Sequence, residues 1–385
     1  MKSRYEELDS LRGLAALSVL FSHFMLVFPS IENDTLSDGL TELNLIKYSP
    51  FHILFAGHEA VIFFFVLSGF VLSLLLFRTE KESYNLYTLK RILRIYPPYI
   101  VAVMFAICVT LFVQESNLVG LSEWIQTRME APITFTLVLQ HILFLGEFNA
   151  NDINPVLWSM VHEMRISLIF PLVVYFLSKW NFYKTVLVSV VISLAGIILM
   201  KFFQVEGSAT NYFITLHYLS FFIVGGLLAK YRFEIIRWFK SKSTFFFFNV
   251  GLIGLLAYTY SWLFKDVNII HNILIDDWVV VVGASLFIIL ALSSDKISKI
   301  LRIKPIAYLG KISYSLYLYH GVVLVACLNM FVPKIGIELT LLISFILSIV
   351  LSSVGYYLVE KPSIILSRKI SKNQKTKRLK EEKIS

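Results

Sequence analysis

Residues 53–77 read ILFAGHEAVIFFFVLSGFVLSLLLF, a run whose one charged side chain is Glu59. As a helix rising 1.5 Å per residue, such a run is long enough to cross the ~30 Å of hydrocarbon in a bilayer. Inside hydrocarbon a helix satisfies its own backbone groups, so the run reads as a membrane-spanning helix. The pattern recurs along the chain of 385 residues. Spans are expected near residues 10–29, 53–77, 95–114, 157–178, 185–203, 213–230, 244–264, 277–292, 306–328 and 338–358, ten in all. The stretch 134–146 is apolar but short, which suits a re-entrant or interfacial segment. The fold class that follows is all-α, a polytopic helical membrane bundle.

Composition agrees. The chain is 57% apolar and 16% charged, against ~45–50% and ~25% for soluble domains. Its two cysteines, Cys108 and Cys327, lie within apolar runs, which excludes a disulfide framework and a cysteine-based zinc site. The Walker-type phosphate loop, the dinucleotide fingerprint and the H-E-x-x-H motif are missing, so ATP-driven transport and metallohydrolase chemistry lose support and no metal is expected.

Basic residues set the orientation. With the N-terminus inside, 28 Lys and Arg fall on inner segments and 4 (Lys47, Arg128, Lys265 and Lys334) on outer loops. That is the positive-inside bias, and it predicts a multi-pass protein of the cell (inner) membrane with both termini cytoplasmic. Arg12 at the start of the first span and His23 within it argue against a cleaved signal sequence. The net charge of +9 thus reports sidedness and an anionic inner leaflet, and nucleic acid drops out as a partner. Residues 1–362 form one membrane domain. Residues 363–385, with eight basic and two acidic side chains, read as a disordered cytoplasmic tail on that leaflet.

Ionisable groups within spans cost a few kcal/mol each and are functional candidates by default. Arg12 and His23, eleven residues apart, share one helix face to within about 20°. Ala15, Ala16 and Val19 between them would leave a groove leading to the histidine. LWSMVHEMRISLIFPL carries His162, Glu163 and Arg165, with Glu163 on the face of Ser159, Ser167 and Phe170. SYSLYLYHGV places Tyr314, Tyr317 and His320 among apolar residues, Tyr314 suiting an interface anchor. Counted from the inner ends, His23, Glu163 and His320 lie roughly 16 to 21 Å deep, at one level. Ser68 and Gly69 suit close helix packing, and His58 and Glu59 suit the outer interface. Arg91 and Arg94 project together, as lipid anchors or as a clamp for a multiply phosphorylated ligand, with Pro97 and Pro98 ending or kinking the segment beyond them.

These residues fall into a pattern that resembles the acyltransferase-3 family of integral membrane O-acyltransferases, which act on cell-surface carbohydrates. The matching segments are LDSLRGLAALSVLFSH with Arg12 and His23, FFFVLSGF at 63–70, the pair Arg91 and Arg94 followed by IYP, LWSMVHEMRISLIFP around Glu163, SYSLYLYH ending at His320, and VEKP at 359–362. They keep the family's order along nearly the whole chain. The resemblance implies acyl-CoA, usually acetyl-CoA, as a cytoplasmic co-substrate, with no tightly bound cofactor. It implies His23 as the essential histidine and Arg12, Arg91 and Arg94 as donor-binding residues. A hydroxyl has a pKa far above neutral, so a positioned base must take its proton during attack on a thioester. His23 suits that task, or could carry the acyl group covalently, while Glu163 could orient its imidazole. Ser68, Gly69, Tyr317 and His320 would support them.

The expected acceptor is a hydroxyl of a cell-surface saccharide or a lipid-linked precursor. Many family members carry a further span and an esterase-like domain, so an acceptor-side step is expected to occur in the membrane or on a separate protein. The rival reading is a secondary transporter using His, Glu and Arg as a proton relay. It predicts inverted repeats, and none is visible in the sequence.

Overall fold

The computed structural model describes residues 5–29, 46–78, 83–113, 118, 120–126, 132–205, 207–264 and 271–381. Lys2, Arg4, Lys81, Arg128, Lys265 and the last four residues of the expected tail lie outside the described residues. The principal helices are α1 (Glu6–Met25), α2 (Gly57–Arg78), α3 (Tyr84–Phe112), α4 (Phe135–Leu143), α5 (Leu157–Lys179), α6 (Phe182–Phe202) and α7 (Tyr212–Lys230). After them come α8 (Arg232–Lys240), α9 (Thr244–Tyr258), α10 (Ile273–Ser293), α11 (Asp295–Leu301), α12 (Lys304–Ile335), α13 (Ile337–Gly355) and α14 (Lys361–Glu381). Among the described residues there is no strand.

Among the described residues, eight helices are long and apolar enough to cross a membrane: α2, α3, α5, α6, α7, α10, α12, and α13 with its continuation. Two of the ten expected spans fall short of that measure. Helix α9 has only 15 residues, and α1 is diluted by Asp9, Arg12 and His23. Helix α4, with 9 residues, is too short to cross. It closes at Phe144, which takes the left-handed conformation at φ 59°.

Side-chain caps set several of the starts. Asn181 accepts from the amide of Lys184 and Asn211 from that of Ile214, satisfying orphan donors where α6 and α7 begin.

Two glycine contacts fix the packing. A Cβ on Gly69 would stand 2.1 Å from the Phe222 carbonyl oxygen, and one on Gly225 1.9 Å from that of Val66, so α2 and α7 lie backbone to backbone. Around this crossing Phe65, Phe70, Phe170, Phe221 and Phe222 form the buried centre. Helices α1 and α12 meet the same way, since a Cβ on Gly13 would lie 2.3 Å from the Gly310 amide nitrogen.

Two expectations about local structure change. Pro97 and Pro98 lie inside α3, which runs on to Phe112. A proline in a helix removes one hydrogen bond and crowds the carbonyl four residues back, and within a bundle neighbouring groups can offset that loss. Helix α14 follows α13 through a π-helical turn, Tyr356–Glu360. Its start packs along α3, with Ser363 buried and Ile364 half-buried. The groove expected beside Ala15, Ala16 and Val19 is closed, because all three are buried in the core.

Candidate active site

The parallel packing of α1 and α12 positions a histidine pair. His320 is fully buried, and its Nδ1 lies 2.8 Å from the Leu316 carbonyl oxygen. A carbonyl only accepts, so Nδ1 carries the proton and Nε2 the lone pair. His23 Nδ1 lies 2.9 Å from that Nε2 and must therefore donate to it. The tautomer of His23 follows: its Nε2 is the basic nitrogen. The two rings stack at 5.0 Å. His23 also meets the Trp124 ring at 5.2 Å. Ser122 holds that segment over the end of α1, donating from Oγ to the Leu26 carbonyl at 2.6 Å and from its amide to that of Val27 at 3.0 Å.

Tyr317, one turn before His320, donates to Ser159 Oγ at 2.7 Å, and Ser159 donates in turn to the Val156 carbonyl. This ties α12 to α5.

A second cluster gathers the three arginines. Arg91 Nη2 donates to Ser167 Oγ at 2.7 Å and to Glu163 Oε1 at 3.2 Å. Ser68 Oγ reaches the same carboxylate oxygen at 3.4 Å. Arg94 lies within electrostatic reach of Arg12, Arg91, Glu163 and Glu360. Arg12 donates to Asp9 at 3.2 Å, and Tyr314 donates to the Ile95 carbonyl at 2.9 Å, so this tyrosine is tied into the bundle instead of anchoring at the interface. Three guanidinium groups from two helices thus share a polar cluster with Glu163 and Glu360. Such forks match phosphate oxygens.

The structure divides the predicted residues. Arg12, Arg91, Arg94, Glu163 and Ser68 come together, and His23, His320 and Tyr317 form the neighbouring group. Gly69 belongs to the α2–α7 crossing. Glu163 faces Arg91 and Ser68, and the Nδ1 partner of His23 is His320.

His162 and Arg165 point elsewhere. Arg165 donates to the carbonyls of Leu145, Gly146 and Thr210 at 2.7 to 2.9 Å. His162 Nε2 donates to that of Ala209 at 2.8 Å. Together they pin the segment after α4 and the start of α7, a structural role. His58 and Glu59 are not merely interfacial. His58 pairs with Asp277 at 2.8 Å, and the buried Glu59 accepts from Ser261 at 2.9 Å. Asp277 also pairs with His217, whose Nδ1 lies 2.7 Å from Ser193 Oγ.

Sequence reasoning missed Trp124 and Glu360. Trp124 sits in a short polar segment that no periodicity marks. Glu360 was visible within VEKP but had no assigned role. It is buried and accepts from Ser315 Oγ at 2.8 Å.

The fold is that of a polytopic helical membrane protein that carries a histidine pair and an arginine cluster. Residues 5–358 match the acyltransferase-3 family, described as an acyltransferase domain, and the chain belongs to that family. It is similar to the O-acetyltransferase OatA of Staphylococcus aureus strain NCTC 8325 / PS 47, 27% identical over 355 residues, covering 84% of this chain and 56% of OatA. OatA of strain COL matches with the same identity and coverage. The chain thus spans little more than half the length of these relatives. No solved structure matches it.

Proposed function

We propose that the chain is a membrane O-acyltransferase that moves an acyl group, in the first instance acetyl, from cytosolic acyl-CoA to a hydroxyl of a cell-surface saccharide or its lipid-linked precursor. The observation that carries this reading is the defined tautomer chain Leu316, His320, His23, which leaves a basic Nε2 on the same helix that bears Arg12. Membership of the acyltransferase-3 family and the likeness to a protein named O-acetyltransferase support it further.

Arg12, Arg91 and Arg94 hold the phosphate groups of the donor at the cytoplasmic end, and both chain termini lie on that side of the cell membrane. The acceptor O–H gives its proton to His23 Nε2 as the oxygen attacks the thioester carbonyl. The Nδ1–H of His23 keeps donating to His320, so the imidazole holds its orientation while it carries positive charge, and the Trp124 face stabilises that charge. Collapse of the tetrahedral intermediate breaks the C–S bond, and the departing thiolate takes the proton from Nε2. The balance is an ester plus free CoA, with no net proton released.

The test is thiol release from acetyl-CoA by purified protein supplied with saccharide acceptors prepared from the host envelope. His23→Ala is expected to abolish the acceptor-dependent signal. Undiminished turnover in that variant would overturn the reading.

A further inference from the structure

A second polar network crosses the bundle where α2, α7 and α10 begin, and the transfer step does not use it. Asp277 accepts from two imidazoles, from His58 Nε2 on Oδ1 at 2.8 Å and from His217 Nε2 on Oδ2 at 3.0 Å. A carboxylate only accepts, so both rings carry a proton on Nε2. In the neutral His217 ring Nδ1 is then the acceptor, and it takes the Ser193 hydroxyl proton at 2.7 Å. The Trp278 indole, which only donates, ends the series on Ser193 Oγ at 2.9 Å. Asp277 and His217 side chains are 2% and 0% exposed, whereas that of His58 is 48% exposed. Among the described residues, the His58 Nδ1 has no protein hydrogen-bond partner. The network is satisfied at its buried end and open at its exposed one. Packing alone calls for no ionisable groups here, since they are costly within spans and ordinarily mark a substrate path. The start of α2 is also pressed against the helix of the reacting histidine. A Cβ on Gly57 would stand 2.5 Å from Oγ of Ser22, the residue before His23.

We propose that His58 is an acceptor-binding residue at the outer end of the bundle: its exposed Nδ1 exchanges a hydrogen bond with a hydroxyl of the saccharide. Asp277, braced by His217, Ser193 and Trp278, is the positioning residue that fixes the ring. Both roles rest on the O-acyltransferase reading above. A hydroxyl suits this nitrogen in either protonation state, because it accepts from an imidazolium N–H and donates to a neutral ring. Glu59 and Asp276, the chain neighbours of His58 and Asp277, place further carboxyl groups nearby. The site therefore favours a neutral polyol over an anion.

The experiment follows thiol release by the full chain in lipid nanodiscs, varying the envelope saccharide at saturating acetyl-CoA and acetyl-CoA at saturating saccharide. His58→Ala is expected to raise the acceptor KM about 3–10-fold, the ordinary worth of one hydrogen bond, with kcat and acetyl-CoA affinity unchanged. His58→Gln, whose amide can both donate and accept, recovers most of that loss. Asp277→Asn keeps the shape but takes away one of the two acceptor oxygens, and it too raises the acceptor KM alone. A merely structural role would move the thermal midpoint and both substrates together, without rescue by glutamine. An unchanged acceptor KM in His58→Ala, or a matching change in acetyl-CoA affinity, overturns the His58 role and leaves the acyltransferase reading standing. An unchanged acceptor KM in folded Asp277→Asn overturns the positioning role. Should that variant not fold, the alanine and glutamine variants of the exposed His58 decide. If the wild-type protein shows no acceptor-dependent thiol release, the acyltransferase reading falls and this role with it.

Discussion

His23 and His320 are 297 positions apart, the same interval that separates Gly13 from Gly310. The helices run parallel, so contact at the glycine crossing is carried about 15 Å along both, ten residues at 1.5 Å each, to the histidine pair. Replacing either histidine should separate their roles. His23→Ala removes the base, for which a loss of about 10²–10⁴ in kcat is the ordinary scale. His320→Ala removes only the orienting acceptor and should cost less, roughly tenfold to a hundredfold, with acetyl-CoA affinity unchanged in both. Measured kcat and donor affinity in the two variants decide it. An equal loss in both, or a fall in donor affinity, contradicts the division.

The glycine crossing yields a second expectation. A methyl group on Gly13 would stand 2.3 Å from the Gly310 backbone nitrogen, with no flexible side chain to give way. Gly13→Ala should destabilise the bundle by about 1–3 kcal/mol, the usual cost of overpacking. It should also lower turnover by spreading His23 from His320. Thermal unfolding in detergent and thiol release from acetyl-CoA measure the two effects, and an unchanged midpoint would contradict the tight crossing.

Much of this was legible in the sequence, and the part that was not has a physical pattern. Hydropathy and charge marked the helices because lipid penalises polar groups one residue at a time, a local signal. That His23 and His320 stand at one level followed from helical rise alone. Partner choice was not local: whether Glu163 meets His23 or Arg91 depends on the rotation of α5 against α3 and α1, about which a single helix says nothing. The same holds for Glu360, whose direction depends on a π-helical turn, and for Arg165, whose partners are carbonyls of a distant segment.

Arg91 and Glu163 form a nearly enclosed pair at 3.2 Å. Removing one partner from such a pair exposes the other to an uncompensated environment, whereas removing both does not. Arg91→Ala should therefore weaken acetyl-CoA binding about tenfold or more and lower stability by roughly 1–3 kcal/mol, less than the ~3–5 kcal/mol of a fully buried pair because both side chains keep some exposure. Arg91→Ala/Glu163→Ala should recover part of the stability and none of the binding. A double-mutant cycle read by thermal unfolding and by acetyl-CoA affinity makes the comparison. Recovery of binding in the double variant would mean that Arg91 acts only through Glu163.

The outer segment before α2 carries the clearest pH dependence. His52, on the short helix Pro50–Phe55, is packed against the Trp262 ring at 4.5 Å with Lys47 nearby. Burial, reinforced by the Lys47 charge, lowers its pKa from 6.5 to about 3. A histidine depressed in the folded state is neutral there, while the unfolded chain takes up a proton as pH falls through 6.5. The unfolded state then binds more protons, so the stabilisation is complete above that value and is lost as pH falls from 6.5 towards 3. The slope approaches about 1.4 kcal/mol per pH unit inside the window. His52→Phe, which keeps the stack on Trp262 and cannot titrate, should remove this contribution. Unfolding midpoints of the two proteins at pH 7.5 and pH 5 provide the check. The wild-type protein should lose more on acidification than the variant, and an equal loss in both would show that His52 does not carry the effect.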